Sequence, residues 1–521
     1  MRRFLLSFLP CVAFTAIAGV TTPPSNVIYE EGVYGLKLSP NGKWLGSMAG
    51  DAMVYNMETR ELTDYWGTFL GLGNAVANNG MAVGDMTDHA MILYQGQYIS
   101  PESLKNFLFC DINAITAEGT RIAGTCGNSA GDGVGYIAFV ADIDENGNVG
   151  EPILLPYPKE DFFRAAPQMA TGNWISDDGK TVIGQMVDWR GMYTVPIYYT
   201  EDENGKWSYS LPTESLFNPT GIELPDNPWL AEPFLPEPED CMSNPVLKEA
   251  YLNEYDQWIA NGCVTPQPDF TAFMTDDDYQ RYADAVNAYN DWYYSVEDKI
   301  KEYVPIYLDV LKTSPSFSAN DAALARDGSF FIVPGGVEDE AGENTLRNLY
   351  KITIPTNEMV RIATPEPSLY PCQMLADGTV ILTRPIMATP DSYIIPAGTS
   401  DVIKIEDYLR PTNPEVVNWI EENFPGGSGV ILFSDDMSVM TGALTPGQLA
   451  NYGDDDYYYN TYIVKDVVPA GVEAIEISPE NGVYNVHNLQ GVKVLTTKDQ
   501  SEINNLGKGI YIVNGKKVLV K

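Results

Sequence analysis

The chain has 521 residues, with 31 Lys and Arg against 71 Asp and Glu, a formal charge of −40. An exterior that negative repels phosphate backbones and anionic lipid, which argues against nucleic-acid and membrane-surface binding. Aromatic residues make up 11% of the chain, including 32 Tyr, which excludes an acidic disordered polymer and points to a folded protein.

Residues 1–18 read as a secretory signal peptide. Arg2 and Arg3 form the charged region, Phe4 to Ala18 a short apolar run, and Ala16-Ile17-Ala18 a small-x-small cleavage site. Cys11 lies inside the apolar run after Leu9-Pro10, too early for a lipoprotein signal. No later stretch reaches the ~18 apolar residues of a spanning helix, so the expected mature protein starts near Gly19, exported and without membrane insertion. The expected location is the medium or the outer-membrane surface.

A repeat organises residues 26–468. It is plainest in Asn173-Trp-Ile-Ser-Asp-Asp-Gly-Lys-Thr-Val-Ile-Gly184, a strand, a tight turn and a second strand. Copies occur at 36–46, 74–84 and 113–124, with drifted copies at 322–333, 373–382 and 430–440. The turn glycines are Gly42, Gly80, Gly119, Gly179, Gly328 and Gly378, with Met437 in the seventh copy. Spacing near ~40 residues with four short strands per unit is the pattern of β-propeller blades. The expected fold class is therefore mostly β, a seven-bladed β-propeller, with six or eight blades also compatible. Asn26–Glu31 reads as a lone strand, the natural partner to complete the last blade and remove an open edge.

Within the third and fourth units, Asp144-Glu-Asn-Gly-Asn148 and Glu201-Asp-Glu-Asn-Gly-Lys206 occupy the same place. Asp142, Asp144, Asn146 and Gly147 begin like a calcium loop, but the twelfth position is Ile153. The recurrence favours a hairpin turn in which Asn-Gly supplies positive backbone angles. No metal site or cofactor is expected.

Between the fourth and fifth units a Pro-rich crossing, 211–238, leads to a helical insertion at about 240–312. Helices are expected at 244–261 and 276–311, the second opened by Asp276-Asp-Asp278, which suits the unpaired amides of a helix N-terminus. The insertion is unusually aromatic, with Trp258, Tyr279, Tyr282, Tyr289, Trp292, Tyr293 and Tyr294. Rings on one helix face either bury against the sheets or offer a recognition surface, since Tyr and Trp combine flat apolar area with a polar handle. Trp258, Tyr282, Tyr289, Trp292 and Tyr293 are the candidate ligand-binding residues.

From Pro469 the chain turns more basic and shows short alternating strands at 483–487, 492–495, 509–513 and 517–520, expected to form a small C-terminal β-sandwich over 469–521. The residues Leu489-Gln490-Gly491, Gly509-Ile-Tyr511 and the terminal Lys-Val-Leu-Val-Lys resemble the C-terminal sorting domain of type IX secretion in Bacteroidota. That resemblance covers the last ~50 residues and implies delivery to the cell surface or medium. The repeats, best at 173–184, resemble HAF-type extracellular repeats and more loosely WD-repeat blades, which implies a propeller and carries no catalytic residues.

Five cysteines follow the signal. Export permits disulfides: Cys110 and Cys126 sit at mirror positions about a turn and could face each other, Cys241 and Cys263 bracket the first helix, these four being possible disulfide cysteines, and Cys372 is left over, expected as a buried free thiol. Gly127-Asn-Ser-Ala-Gly131 fits a nucleophile elbow, yet the setting is a loop between strands and the chain holds only His89 and His487. Asp435-Asp436 and Asp454-Asp-Asp456 are candidate carboxylate pairs, for which solvated loop charge is the plainer reading. No catalytic residue is assigned. The expected function is a non-catalytic binding module for a glycan or surface protein, using the propeller's top loops and the insertion. The alternatives are a carboxylate-dependent hydrolase or lyase on glycans or peptides, and a scaffold subunit of a surface complex.

Overall fold

The structure, a computed structural model, describes residues 20–33, 35–47, 51–69, 73–86, 89–105, 107, 109–127, 135–158, 169–188, 193–228, 233, 235–260, 266–337, 348–365, 369–384, 391–424, 427–444, 460–467, 482–488, 491–503, 506, 509–514 and 516–520. The chain is mostly β and is built from successive antiparallel sheets. It divides into two compact units, one of residues 1–82, 93–98 and 369–521, the other of residues 83–92 and 99–368.

The repeats fold as strand meanders. In the first, Gly35–Leu38, Trp44–Ser47, Asp51–Asn56 and Leu62–Phe69 pair in chain order. A sheet from Gly73 to Ile99 and another from Tyr370 to Lys404 repeat that order. The seventh repeat is completed from the other end of the sequence. Val27–Glu31 pairs antiparallel with Asn460–Lys465, in register Val27 to Val464, so the strand expected to close the last sheet does so. The fifth repeat has a broken first strand, Ser316–Phe317 and Ala323–Leu324, and so counts five strands.

Two expectations change. The third and fourth repeats are not separate sheets: a short parallel pairing of Tyr136 with Met169 and Ile137 with Ala170 joins them into nine strands. In the tail, the described strands form one four-stranded sheet, with the one-turn helix Gln500–Ile503 contributing Ile503 to a core of Tyr484, Val486 and Val513. A second sheet, as a sandwich requires, is not among the described residues.

The repeat motif is a self-capping turn. In the fourth repeat the Ser176 hydroxyl donates to Asp178 (2.6 Å) and accepts from the Thr181 amide (2.9 Å). Asp178 accepts from the Lys180 amide (3.0 Å), and Gly179 takes φ +71°, a conformation that strains residues with a Cβ. The seventh repeat copies this with Ser434 and Asp436, while Met437 adopts φ +58° without being glycine.

Each turn also holds its neighbour. A Cβ on Gly80 would meet the Trp44 indole at 2.7 Å, and one on Gly328 would meet Thr181 Oγ1 at 2.5 Å. The glycine thus lets one repeat's turn seat on the second strand of the repeat before it. Main-chain bonds run the same way: the Asp435 amide donates to Pro40 O (2.7 Å) and the Asp177 amide to Arg326 O (2.8 Å). Deeper in, polar side chains replace strand hydrogen bonds between sheets. Gln373 donates to Phe433 O (2.6 Å) and accepts from Phe433 N (2.8 Å), and Thr461 Oγ1 does the same between Val33 O and Gly35 N.

Candidate functional site

The insertion contains α1 (Pro245–Ala260) and α2 (Asp276–Leu311), nearly at the expected bounds. The start of α2 is fixed by a capping box, with Thr275 Oγ1 accepting from the Asp278 amide and Asp278 accepting from the Thr275 amide, both 3.2 Å. Asp278 also accepts from Ser243 N (3.2 Å) and from Arg281, which in turn donates to Cys241 O (2.9 Å). Burial pushes the Asp278 carboxyl up, but hydrogen bonds from Ser243, Thr275 and Arg281 outweigh it and hold the group well below the usual carboxylate range.

One face of α2 from Trp292 onward is core. Trp292, Tyr303, Tyr307, Val310 and Leu311 pack with Val140, Val182, Val195 and Tyr199 of the nine-stranded sheet. Tyr303 and Tyr307 stack at 5.6 Å, and the Tyr307 hydroxyl donates to the buried Asp188 carboxylate (2.7 Å), which also accepts from Tyr193 N (3.1 Å). One end of the insertion is therefore rigidly tied to the fourth repeat.

The aromatic candidates separate accordingly. Trp292 is buried, and Tyr289, half-buried, packs on the same core at 5.4 Å from the Trp292 ring. Trp258 and Tyr282 are half-buried within the insertion itself, Trp258 against Tyr255 (5.5 Å) and Tyr282 edge-on to Phe270 (5.1 Å). Of the five named residues only Tyr293 is exposed. It joins Tyr279 and Tyr294 as the open rings of α2, with exposures of 41%, 49% and 74% for Tyr293, Tyr279 and Tyr294. Tyr293 and Tyr294 meet edge-to-face at 6.0 Å. The helical period in the sequence places Tyr279, Tyr282, Val286, Tyr289, Tyr293, Val296 and Ile300 together, whereas the buried stripe runs through Trp292, Tyr303, Tyr307 and Val310 and leaves Tyr279 and Tyr293 exposed.

The candidate carboxylates are structural where they are described. Asp435 accepts from Ala376 N (3.2 Å), and Asp436 accepts from Ser434, Ser438 N and Ser438 Oγ (2.7, 2.9 and 2.7 Å). Asp454, Asp455 and Asp456 lie outside the described residues, as do Asn128 to Gly131 of the elbow-like motif. Asp144 accepts from the Asn146 and Asn148 amides (2.9 Å each), and Asp202 from Asn204 and Lys206 (2.8 and 2.9 Å). Both loops are turns. Their geometry departs from the expected pair of positive angles, because only Gly147 (φ +85°) and Gly205 (φ +76°) adopt one, with the aspartate capping the other residues.

Glu406 is among the buried carboxyls that escaped the sequence reading. It lies on the short helix α3 (Ile405–Leu409) and is 6% exposed. Burial pushes it up. Its own amide, Lys404 and the Ser428 hydroxyl pull it back, and Asp391 adds a smaller upward push. Ser428 is near enough to polarise the carboxyl, yet neither its Oγ nor Glu406 Oε2 reaches good hydrogen-bond geometry with a partner. Burial, not spacing, marks this residue, and no sequence motif carries that.

Cys110 and Cys126 are directly opposed across neighbouring strands, and both are free thiols, as are Cys241 and Cys372. Cys263, the candidate partner of Cys241, lies outside the described residues. Among the described residues no group of three or more His, Cys, Asp or Glu could hold a metal ion, and no helix is long and apolar enough to cross a membrane.

Neither a family model nor a curated relative matches the chain. Solved structures that resemble it include a putative TolB from Agrobacterium tumefaciens, 15% identical over 36% of this chain and 63% of that one, TM-score 0.24. TolB from Acinetobacter baumannii is 10% identical over 91% of this chain and 77% of that one, TM-score 0.27. Polysaccharide lyase Uly1 is 9% identical over 87% and 91%, TM-score 0.40. The chain spans less than two thirds of the Agrobacterium protein's length. Likenesses this distant carry no functional argument.

Proposed function

We propose that this chain is an exported, non-catalytic binding module. In this reading residues 26–468 form a seven-bladed propeller of the HAF-like repeat type, and residues 469–521 a sorting-like tail that delivers it to the cell surface or medium. Its partner is a glycan or a surface protein. The observation that carries the reading is the set of open rings, Tyr279 and the adjacent Tyr293 and Tyr294, on a helix whose far end is locked into a sheet core. Tyrosines on a rigid support give contact area at small entropic cost, which suits recognition. Glycan-array binding and pull-down from the cell envelope test it. Binding should survive Glu406→Gln and be lost when the three tyrosines become alanine; capture of several envelope proteins together would favour the scaffold variant of the reading.

A second reading has one observation in its favour. A carboxyl raised by burial, as Glu406 is, has the character of a general acid in a hydrolase or lyase. Turnover of a polysaccharide or peptide, abolished by Glu406→Gln, would establish that reading and displace the first.

A further inference from the structure

The third repeat holds a feature that binding does not use. Cys110 and Cys126 are register partners on adjacent antiparallel strands, so their side chains leave the same face. Gly127 N donates to Phe109 O (2.9 Å), which makes Phe109 and Gly127 the hydrogen-bonded pair and Cys110 and Cys126 the non-hydrogen-bonded pair beside it. Such pairs bring Cα atoms to about 4.5 Å, inside the roughly 4.4–6.8 Å range that a disulfide spans. No strand has to move.

We propose that Cys110 and Cys126 form a disulfide, made while the exported chain is still folding. The timing follows from burial. The two residues are 1% and 0% exposed, and burial pushes both thiols up, Cys126 to about 12. Only a thiolate attacks a disulfide, and in the closed repeat burial disfavours the thiolate and shuts out a donor. On the open chain both are accessible, and sixteen positions separate them (126 − 110), a short loop to close. The Cys126 or Cys110 thiolate attacks a donor disulfide, of glutathione or an oxidoreductase, and expels one donor thiolate. The second cysteine, deprotonated, attacks the mixed disulfide and expels the other. Two S–H bonds are lost, one S–S bond forms, and the donor is reduced to two thiols.

The compartment rests on the export reading; the pairing does not, and the test separates them. Residues 19–521 are unfolded, reduced and refolded with oxidised glutathione, then digested and analysed by mass spectrometry. A peptide linked through Cys110 and Cys126, with alkylatable thiols falling from five to three, is the expected result. The same reagent added to the folded reduced protein should leave the Cys110 and Cys126 thiols intact until denaturant is present. Cys110→Ser and Cys126→Ser should each abolish the linked peptide and the downward shift in melting midpoint on reduction. Five alkylatable thiols after oxidative refolding, or Cys110 linked elsewhere, would overturn the proposal. Full-length chain recovered from the exporting cell reads export on its own, by its location and N-terminus. If it is exported with both cysteines alkylatable, the proposal fails while export stands.

Discussion

The repeat turns and the helical insertion draw on the same acidic and aromatic residues and use them in opposite ways. In the turns these carboxylates are engaged: Asp178 and Asp436 cap their own turns, and Asp435 accepts from the turn of the preceding repeat. On α2, Asp278 at the helix start is locked by backbone amides in this way, while Tyr279, Tyr293 and Tyr294 remain open. The turns teach that a turn carboxylate is hydrogen-bonding hardware, whereas the insertion carries a core face and an open face on one helix.

The sharpest way to break that contrast is Trp292→Ala, which should destabilise by about 3–5 kcal/mol because the ring sits in the sheet-facing core. Denaturant unfolding measures it, and a neutral result would mean α2 is not anchored. Gly184→Ala should follow, at about 3 kcal/mol, because its Cβ would fall 1.7 Å from Thr171 O. Arg121→Met should lose about 2 kcal/mol by leaving the part-buried Glu201 unpaired, since Arg121 bonds Asp142, Glu201 and Gly179 O together (2.8, 2.7 and 3.1 Å). A Glu201→Gln background should recover part of that loss.

Acid sharpens the comparison further. The folded-state pKa of Asp278 is depressed, so its contribution is present above the unfolded value of about 4 and disappears as pH falls through the folded one. Far-ultraviolet circular dichroism should report helix loss on acidification, and Asp278→Asn should show reduced helicity at neutral pH. The smallest effect belongs to Tyr294→Ala, within about 0.5 kcal/mol of wild type, because its ring is open to solvent.

Much of the architecture was legible because it is written in backbone demands. Positive φ at Gly42, Gly80, Gly119, Gly179, Gly328 and Gly378 is something few other residues supply cheaply, so the repeat survives where its strands have drifted. Helix α2 was legible from its caps and its period. The parallel pairing at Tyr136–Ile137 was not, because two residues of pairing leave no periodic trace. Nor was the division between Trp292 and Tyr293, adjacent in sequence but on different faces; which face meets the sheet depends on a chain that returns from far away. Asn113, which donates to Gly172 O (2.9 Å) between neighbouring repeats, belonged to the motif and was read only as a strand residue.

The central claim concerns the open tyrosines, and equilibrium binding to the captured glycan or envelope protein tests it most directly. Replacing Tyr279, Tyr293 and Tyr294 together by alanine should weaken binding by about tenfold or more with the melting midpoint unchanged. Undiminished affinity in that folded variant would contradict the account.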